Sequence, residues 1–456
     1  MNAPYWLEEL DGLFDSEMIK RKETYVKKMS QDYYWYSPVL RAKLAHYSGD
    51  CVLAPKSEEE LINIITFAAK RKIPIVTRGG GTGNYGQIIP LRGGIVLDTR
   101  ELNKIVEIES GQGTFEAGVK LGTIEKVLKE TDQELRFFPS TFMKSTIAGF
   151  IAGGTGGIGS IAYGTLWDEG NILALTVLTM EETPRKINVK TKEELAKYIH
   201  SYGISGIILE ATIALAKKVN WVDFLIQFDE LEQALLFSDV VAHDTTIQKR
   251  LVSVCEAPLS TAFHPIKTFT DKRKASVLLQ IAPEHQNDVE KKAACYGGDC
   301  SAAFSRFIKQ NKLRMSDFSW NHVTLWWLKL HPNDTYLQGR FDPKHYVTQV
   351  NQLKERYQDE VLIHFEWIRA GGKVVPSSQP VIRFTTVERL QEIMVSFQEF
   401  GIKVSNPHTF LLEEGGKDEW MDQICLAKKE NDPNHLLNPG KTHRTAHSPL
   451  AGETHV

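Results

Sequence analysis

The chain has 456 residues, 42% hydrophobic and 24% charged, with 54 basic and 57 acidic side chains giving a formal net charge of −3. That length predicts two or three domains with sizeable cores, and the balanced charge without a long basic block argues against a nucleic-acid binder. Neither a basic-then-apolar leader nor an apolar run of about 18 residues is found, which argues against a secretory signal and a membrane span and leaves peripheral membrane contact open.

Residues 55–72, "PKSEEELINIITFAAKRK", predict a helix. Ser57 and Glu60 have capping-box spacing, Leu61, Ile64, Ile65, Ala68 and Ala69 share one face, and Lys70, Arg71 and Lys72 sit where the helix dipole favours cations. "IPIVTR" predicts a buried strand leading into the glycine loop "RGGGTGNYG". Strand is expected again in "IIPLRGGIVLDT", with a turn at Gly93–Gly94. A strand and a helix follow in "GTFEAGVKLGTIEKVLKE". "STIAGFIAGGTGGIGSIAYGT" is glycine-rich with no sustained period. A strand ("NILALTVLTM"), a helix opened by a Thr191/Glu194 capping box, and an apolar strand ("GISGIILEATIAL") come next.

The pattern changes near Trp221. Strands are predicted at "WVDFLIQF", "RLVSVCEA", "ASVLLQIA", "HVTLWWLKL" and within "EVLIHFEWIRAGGKVVPSSQPVIRFTT". Helices are predicted at "DELEQALLFSDVV", "PEHQNDVEKKAACY", "DPKHYVTQVNQLKERY" and "VERLQEIMVSFQEF". This alternation fits a sheet with helices on one face. A last helix around "DEWMDQICLAKKEN" precedes "DPNHLLNPGKTH", and residues 446–456 are expected to be disordered. The five cysteines (Cys51, Cys255, Cys295, Cys300, Cys425) are sparse and odd in number, as in a reducing cytoplasm. Cys295 and Cys300 match no common zinc spacing and read as unpaired thiols.

Two stretches spell G-x-G-x-x-G: Gly81, Gly83, Gly86, and Gly154, Gly156, Gly159. A Rossmann turn requires strand, glycine turn, then helix. Here the first loop leads to another strand, and no P-loop motif occurs. Consecutive backbone N–H groups can still converge on an anion where glycine permits φ > 0, with Thr82 and Asn84 as further donors. The alternative is a tight turn with tolerated glycines. The second stretch interleaves Ile147, Phe150, Ile151, Ile158 and Ile161, which favours an ordered, buried segment over a linker.

Together with "GGIVLDTRELNKIVEIE", "TFEAGVKLGTI", "FPSTFMKSTIAGFIAGGTGGIGSIAYGTLWD" and "GISGIILEATIAL", these loops resemble the FAD-binding domain of the vanillyl-alcohol oxidase / p-cresol methylhydroxylase (PCMH-type) family over roughly residues 40–215. "NDPNHLLNPGK" is similar to that family's closing segment. The resemblance implies an α+β fold: a two-part FAD-binding domain with an inserted α/β cap built on an antiparallel sheet. The implied division is 1–220 for the first FAD-binding part, 221–405 for the cap, and 406–445 for the return. By matching positions it implies that Arg78, Gly79, Gly80, Gly81, Thr82, Gly83, Asn84, Tyr85 and Gly86 line a diphosphate. Pro139, Ser140, Thr141, Thr146, Gly149, Gly153, Gly154, Gly157, Ser160 and Tyr163 would lie near the flavin. Ile207 or Ile208 would touch the adenine or ribose side, and Asn438 and Lys441 the flavin or cap junction. Residues 79–86 hold no histidine and residues 139–164 no cysteine, so dissociable FAD is expected.

A flavin takes a hydride, so the protein needs few acid/base groups beyond one that accepts the substrate's hydroxyl or phenol proton. Alternation on the expected strands puts Trp320, His322, Thr324 and Trp326 on one face, and His364 and Glu366 on another. Arg383 could hold a carboxylate through two hydrogen bonds. Each has a structural alternative: a satisfied core histidine, tryptophans in core packing, a His364–Glu366 pair on an exposed face. The "GDGN(x)H"-like metal motif of relatives that oxidise 2-hydroxy acids is absent, which lowers the 2-hydroxy-acid reading and removes the usual metal site, so no metal is expected and alcohols, sugars, lactones, phenols and lipid-linked substrates stay open. The reading is an FAD-dependent oxidase or dehydrogenase removing a hydride from a small organic alcohol, hydroxy acid, sugar or phenol. Its competitors are an NAD(P)H-dependent flavin reductase and a non-catalytic binding protein on the same fold. Oxygen, a quinone or a carrier protein remain open as electron acceptor, as does the oligomeric state.

Overall fold

The computed structural model describes residues 4–415 and 418–444. The residues expected to be disordered, 446–456, lie outside the described ones.

Three parallel strands, Cys51–Leu53, Ile95–Asp98 and Ile75–Arg78, form a small sheet with Ile95–Asp98 in the middle and Ile19–Lys20 antiparallel at one edge. Parallel strands must be buried on both faces. Helix Glu58–Arg71 covers one of them with Leu61, Ile64, Ile65 and Ala68. Ser57 caps this helix by accepting from the Glu60 N–H at 3.2 Å, while the Glu60 carboxylate accepts from Lys56 N rather than Ser57 N. The Thr191/Glu194 box forms in full. A second, antiparallel sheet runs Ile105–Glu109, Gln112–Glu116, Ile207–Lys217, Ile172–Leu178, Lys186–Val189, with Gln133–Leu135 on the far end of Ile207–Lys217.

The third sheet is antiparallel with eight strands: Asp299–Cys300, Val222–Phe228, Ala275–Ile281, Lys249–Cys255, His364–Ala370, Lys373–Ser378, Gln338–Arg340 and Lys403–Ser405. One face (Phe224, Ile226, Val252, Val254, Val277, Leu279, Phe365, Trp367) is covered by helices Leu231–His243, Gln286–Cys295, Tyr346–Tyr357 and Val387–Glu399. The alternate positions Leu225, Leu251 and Leu278 pack toward the glycine-rich half of the chain. Burial on both faces explains why "DFLIQF" and "SVLLQI" lack polar alternation.

Three local expectations are corrected. Residues 322–330, expected as a strand, lie in helix Asn321–Leu330. Val323, Thr324, Trp327 and Leu328 are buried, so the apolar set repeats at i, i+4 and not i, i+2. In "IIPLRGGIVLDT" only Ile95–Asp98 is strand. The glycine-rich stretch, in which no period was visible, contains helices Ile147–Gly153 and Ser160–Tyr163, the first capped by Thr146.

The chain returns to the first sheet near its end. Leu437 bridges Ile75 in parallel, and the Ile75 and Asn438 N–H groups donate to Leu436 and Ile75 carbonyls at 2.8 Å each. The buried Lys428 ammonium pins this segment, donating to Asp432 at 2.7 Å and to the Leu437 carbonyl at 2.9 Å. Phe237 is fully buried between helix and sheet. Phe237→Ala should cost about 3–5 kcal/mol, measured as a lower denaturant midpoint with an unchanged slope.

Candidate cofactor and substrate site

A cavity of about 530 Å³ opens between the two glycine-rich segments and one flank of the eight-stranded sheet. Its floor is residues 78–85, then Pro139, Ser140, Thr141, Thr146, Gly149, Gly153 and Gly154, with Ile207 and Ile208 at one end. The two segments are in backbone contact. A Cβ at Gly79 would collide with the Thr146 side chain, at Gly80 with the Lys144 carbonyl, and at Gly83 with Gln87. Gly81 has φ +61°, and its Cβ would enter the Arg78 guanidinium. Hydroxyls join the segments further: Thr82 meets Ser145 at 2.8 Å, and Ser145 meets Thr141 at 2.9 Å.

This floor suits an anion. Among the described residues, none accepts from the N–H groups of residues 80–86, and the buried Asn84 Nδ2 also lacks a partner. Beneath them the Arg78 guanidinium donates to the Met29 and Gln31 carbonyls at 2.9 and 2.7 Å. A cluster of unpaired donors over a buried cation, with glycines that let a ligand reach the backbone, fits the diphosphate of FAD.

Six of the residues expected at the cofactor stand behind the floor instead of lining it. Gly86 offers its carbonyl to the buried Lys441 ammonium at 2.7 Å. Asn438 donates to the Gln87 and Tyr202 carbonyls at 2.7 and 2.8 Å. Ser160 accepts from the Gly157 N–H at 3.0 Å, and Gly157 itself lies against the Phe138 carbonyl. Tyr163 packs under the Arg136 guanidinium. Asp32 also braces the loop, accepting from Tyr34 N and Gln87 N at 2.9 and 2.8 Å. Burial pushes its carboxyl up to about 6 and pulls Lys441 down to about 7, each opposed by the other's charge.

The roof comes from residues 314–325 and the sheet: Arg314, Asp317, Trp320, Asn321, His322, Leu325, Gln338, Arg340 and Gln379. Gln338 Nε2 donates to the Tyr85 hydroxyl at 2.6 Å, tying roof to floor. Of the four residues expected to do chemistry, only His322 lines the cavity. Its Nδ1–H donates to the Ser316 carbonyl at 2.6 Å. A carbonyl only accepts, so Nε2 carries the lone pair. Burial lowers the His322 pKa below the ordinary 6.5, aided by Lys329 and Lys144 and opposed by the Ser316 bond and Asp317.

His364 and Glu366 are buried one layer behind the roof, not paired on an exposed face. Glu366 Oε1 accepts from the Trp320 N–H at 2.6 Å, Ser253 Oγ at 2.9 Å and His364 Nε2 at 3.0 Å. Trp320 has φ 54° and ψ −142°, a conformation costing a non-glycine residue about 1–3 kcal/mol. Arg383 is exposed and outside the cavity, because it follows the two-residue strand Val381–Ile382 on a different, three-stranded sheet. The arginines that do line the cavity, Arg314 and Arg340, were missed. Arg340 ends a strand of three residues, too short to show a period, and Arg314 precedes a single 3₁₀ turn. Among the described residues no cluster of three or more His, Cys, Asp or Glu side chains could hold a metal ion, and no helix is long and apolar enough to cross a membrane.

Residues 49–188 match the family model described as an FAD binding domain. Over 426 residues the chain is 25% identical to the glycolate oxidase subunit GlcD of Bacillus subtilis strain 168, covering 86% of this chain and 88% of that protein. Among solved structures it resembles alkyldihydroxyacetonephosphate synthase, with TM-score 0.73 and 16% identity over 97% of this chain and 85% of that one. It also resembles the 4-ethylphenol oxidase of Gulosibacter chungangensis in its isoeugenol complex, with TM-score 0.69 and 16% identity over 95% and 96%. The fold is thus that of the PCMH-type flavoenzymes. The chain carries an FAD-binding domain over residues 49–188 and is an FAD-dependent oxidoreductase.

Gly81→Val should strain the loop, displace the Arg78 guanidinium and weaken FAD binding by tenfold or more, about 1.4 kcal/mol. Loss of the yellow flavin absorbance from purified protein, and failure of added FAD to restore it, is the expected outcome.

Proposed function

We propose that the chain oxidises a small alcohol bearing a carboxylate, with His322 taking the hydroxyl proton and residues 221–405 serving as the cap over a dissociable FAD. The carrying observation is the His322 ring. Its Nδ1–H is committed to Ser316 and its depressed pKa keeps it neutral near pH 7, leaving an accepting Nε2 on a residue of the cavity wall. FAD, when bound, supplies the hydride acceptor. The protein's remaining tasks are to orient the donor, hold its charge and shield the site from water.

Arg314 and Arg340 suit the carboxylate. Both line the cavity, and neither guanidinium has an acidic partner among the described residues. With Lys144 they outnumber Asp317, the single carboxylate of the lining, so the mouth favours an anionic donor. Similarity to a glycolate oxidase subunit over most of both chains supports a short hydroxy acid. A guanidinium can hold such a carboxylate through two parallel hydrogen bonds.

The reading is tested by mixing purified protein anaerobically with glycolate, other short hydroxy acids, uncharged alcohols and, separately, NADPH. Bleaching of the flavin by a hydroxy acid supports it. Bleaching by NADPH alone makes the protein a reductase, and bleaching by no donor leaves a binding protein. His322→Gln should lower kcat by about 10²–10⁴. In the wild type, kcat/KM should be flat near pH 7 and fall as pH drops through a value below 6.5, because protonation fills the accepting Nε2. Arg340→Met should raise KM for an anionic donor by about 10–100-fold, the worth of one charged hydrogen bond, with little change for an uncharged alcohol.

A further inference from the structure

Glu366 lies outside the cavity and has no route to a substrate. Three donors nevertheless converge on one of its oxygens: Trp320 N–H at 2.6 Å, Ser253 Oγ at 2.9 Å and His364 Nε2 at 3.0 Å. Ser253 and Glu366 are direct cross-strand partners in the eight-stranded sheet, and Cys255 and His364 are the next aligned pair but one. The carboxylate is therefore fixed by the sheet, and the Trp320 amide comes to it from a separate segment.

That amide belongs to the residue where the backbone leaves ordinary space. Trp320 combines φ 54° with ψ −142° and starts helix Asn321–Leu330. A side-chain-bearing residue stays in such a region only where its surroundings over-determine it. Trp320, Asn321, His322 and Leu325 all line the cavity. The direction in which the helix sets out from Trp320 thus decides where the His322 ring stands and whether its Nδ1–H reaches Ser316.

We propose that Glu366 is a positioning residue: by accepting the Trp320 N–H it holds the strained turn that keeps His322 Nδ1 on the Ser316 carbonyl and leaves Nε2 on the cavity side. The same layer holds Gln379, whose N–H donates to the His364 carbonyl at 2.9 Å, so both sides of the roof rest on strand His364–Ala370. The role calls for an oxygen acceptor at that point and not for a negative charge. Groups acting directly on the ring are Asp317 and Ser316 from the preceding turn, Lys329 from its own helix, and Lys144 from the floor.

This rests on the reading of His322 as proton acceptor, and the test separates the two. Full-length protein labelled with 13C at histidine Cε1 is titrated by NMR, the His322 signal being the one lost in His322→Gln. Glu366→Gln keeps an oxygen for the Trp320 N–H while removing the charge, and should leave the His322 midpoint and Nδ1–H tautomer as in wild type. Glu366→Ala frees the turn, and the midpoint should climb toward the ordinary histidine value by about half a pH unit or more, with mixed tautomers. Ser253→Ala, which loosens the same carboxylate without touching the turn, should shift it the same way by less. Where Glu366→Ala does not fold, Ser253→Ala decides. Wild-type titration in Glu366→Ala, or in Ser253→Ala where Glu366→Ala does not fold, or a shift in Glu366→Gln as large as in Glu366→Ala, overturns the proposal. If His322→Gln retains full turnover, the proton-acceptor reading fails while the titration still reports what Glu366 does.

Discussion

Everything in the site depends on two backbones touching. Residues 79–83 lie against residues 144–146 so closely that Cβ atoms at Gly79 and Gly80 would occupy space already filled by Thr146 and the Lys144 carbonyl. Closeness of this kind leaves the peptide N–H groups of the first loop turned away from protein acceptors. Such a row of free amides is suited to an anion without any helix end being spent on it. The Arg78 guanidinium then finds its place beneath the loop, because Gly81 presents no side chain to exclude it. A Rossmann site solves the same problem with a helix N-terminus. Here the electrostatics come from a buried arginine and a row of amides.

The roof obeys a different logic. It is built on an antiparallel sheet whose faces are both buried, so its polar groups must be satisfied by one another or by what the cavity holds. Glu366 gathers three donors one layer back, while the amides of Asn321 and Gln379 each leave an oxygen without a partner at the cavity wall. The Tyr85–Gln338 bond is a direct polar link between floor and roof. Placement of the reacting groups therefore depends on how the sheet sits over the loops, as well as on either half alone.

Floor and roof were unequally legible in the sequence. Glycines forced by close approach, proline and small polar residues at fixed spacing, and regular strands on either side are local signals, and they located the 78–85 and 139–154 segments directly. Gly157, Ser160, Asn438 and Lys441 carry the same kind of signal yet stand behind the floor, since a residue that braces a loop and one that lines it look alike in a chain of letters. On the roof the determinants are tertiary. "HVTLWW" alternates well enough to pass for a strand, and only its burial pattern reveals the helix. Arg340 and Arg383 each sit in or next to a strand of two or three residues. Which of them faces the cavity is set by which sheet the strand joins, and nothing nearby in sequence encodes that.

The return of the chain near residue 437 bears on when the cavity floor gains its support. The glycine loop at the cavity floor is held from behind by Asn438 and Lys441, and the strand leading into it is bridged by Leu437. Those supports leave the ribosome only after the whole eight-stranded sheet has been made. The backed loop thus exists only once residue 441 has been made, and a nascent chain halted anywhere before residue 437 would present the glycine loop without its backing.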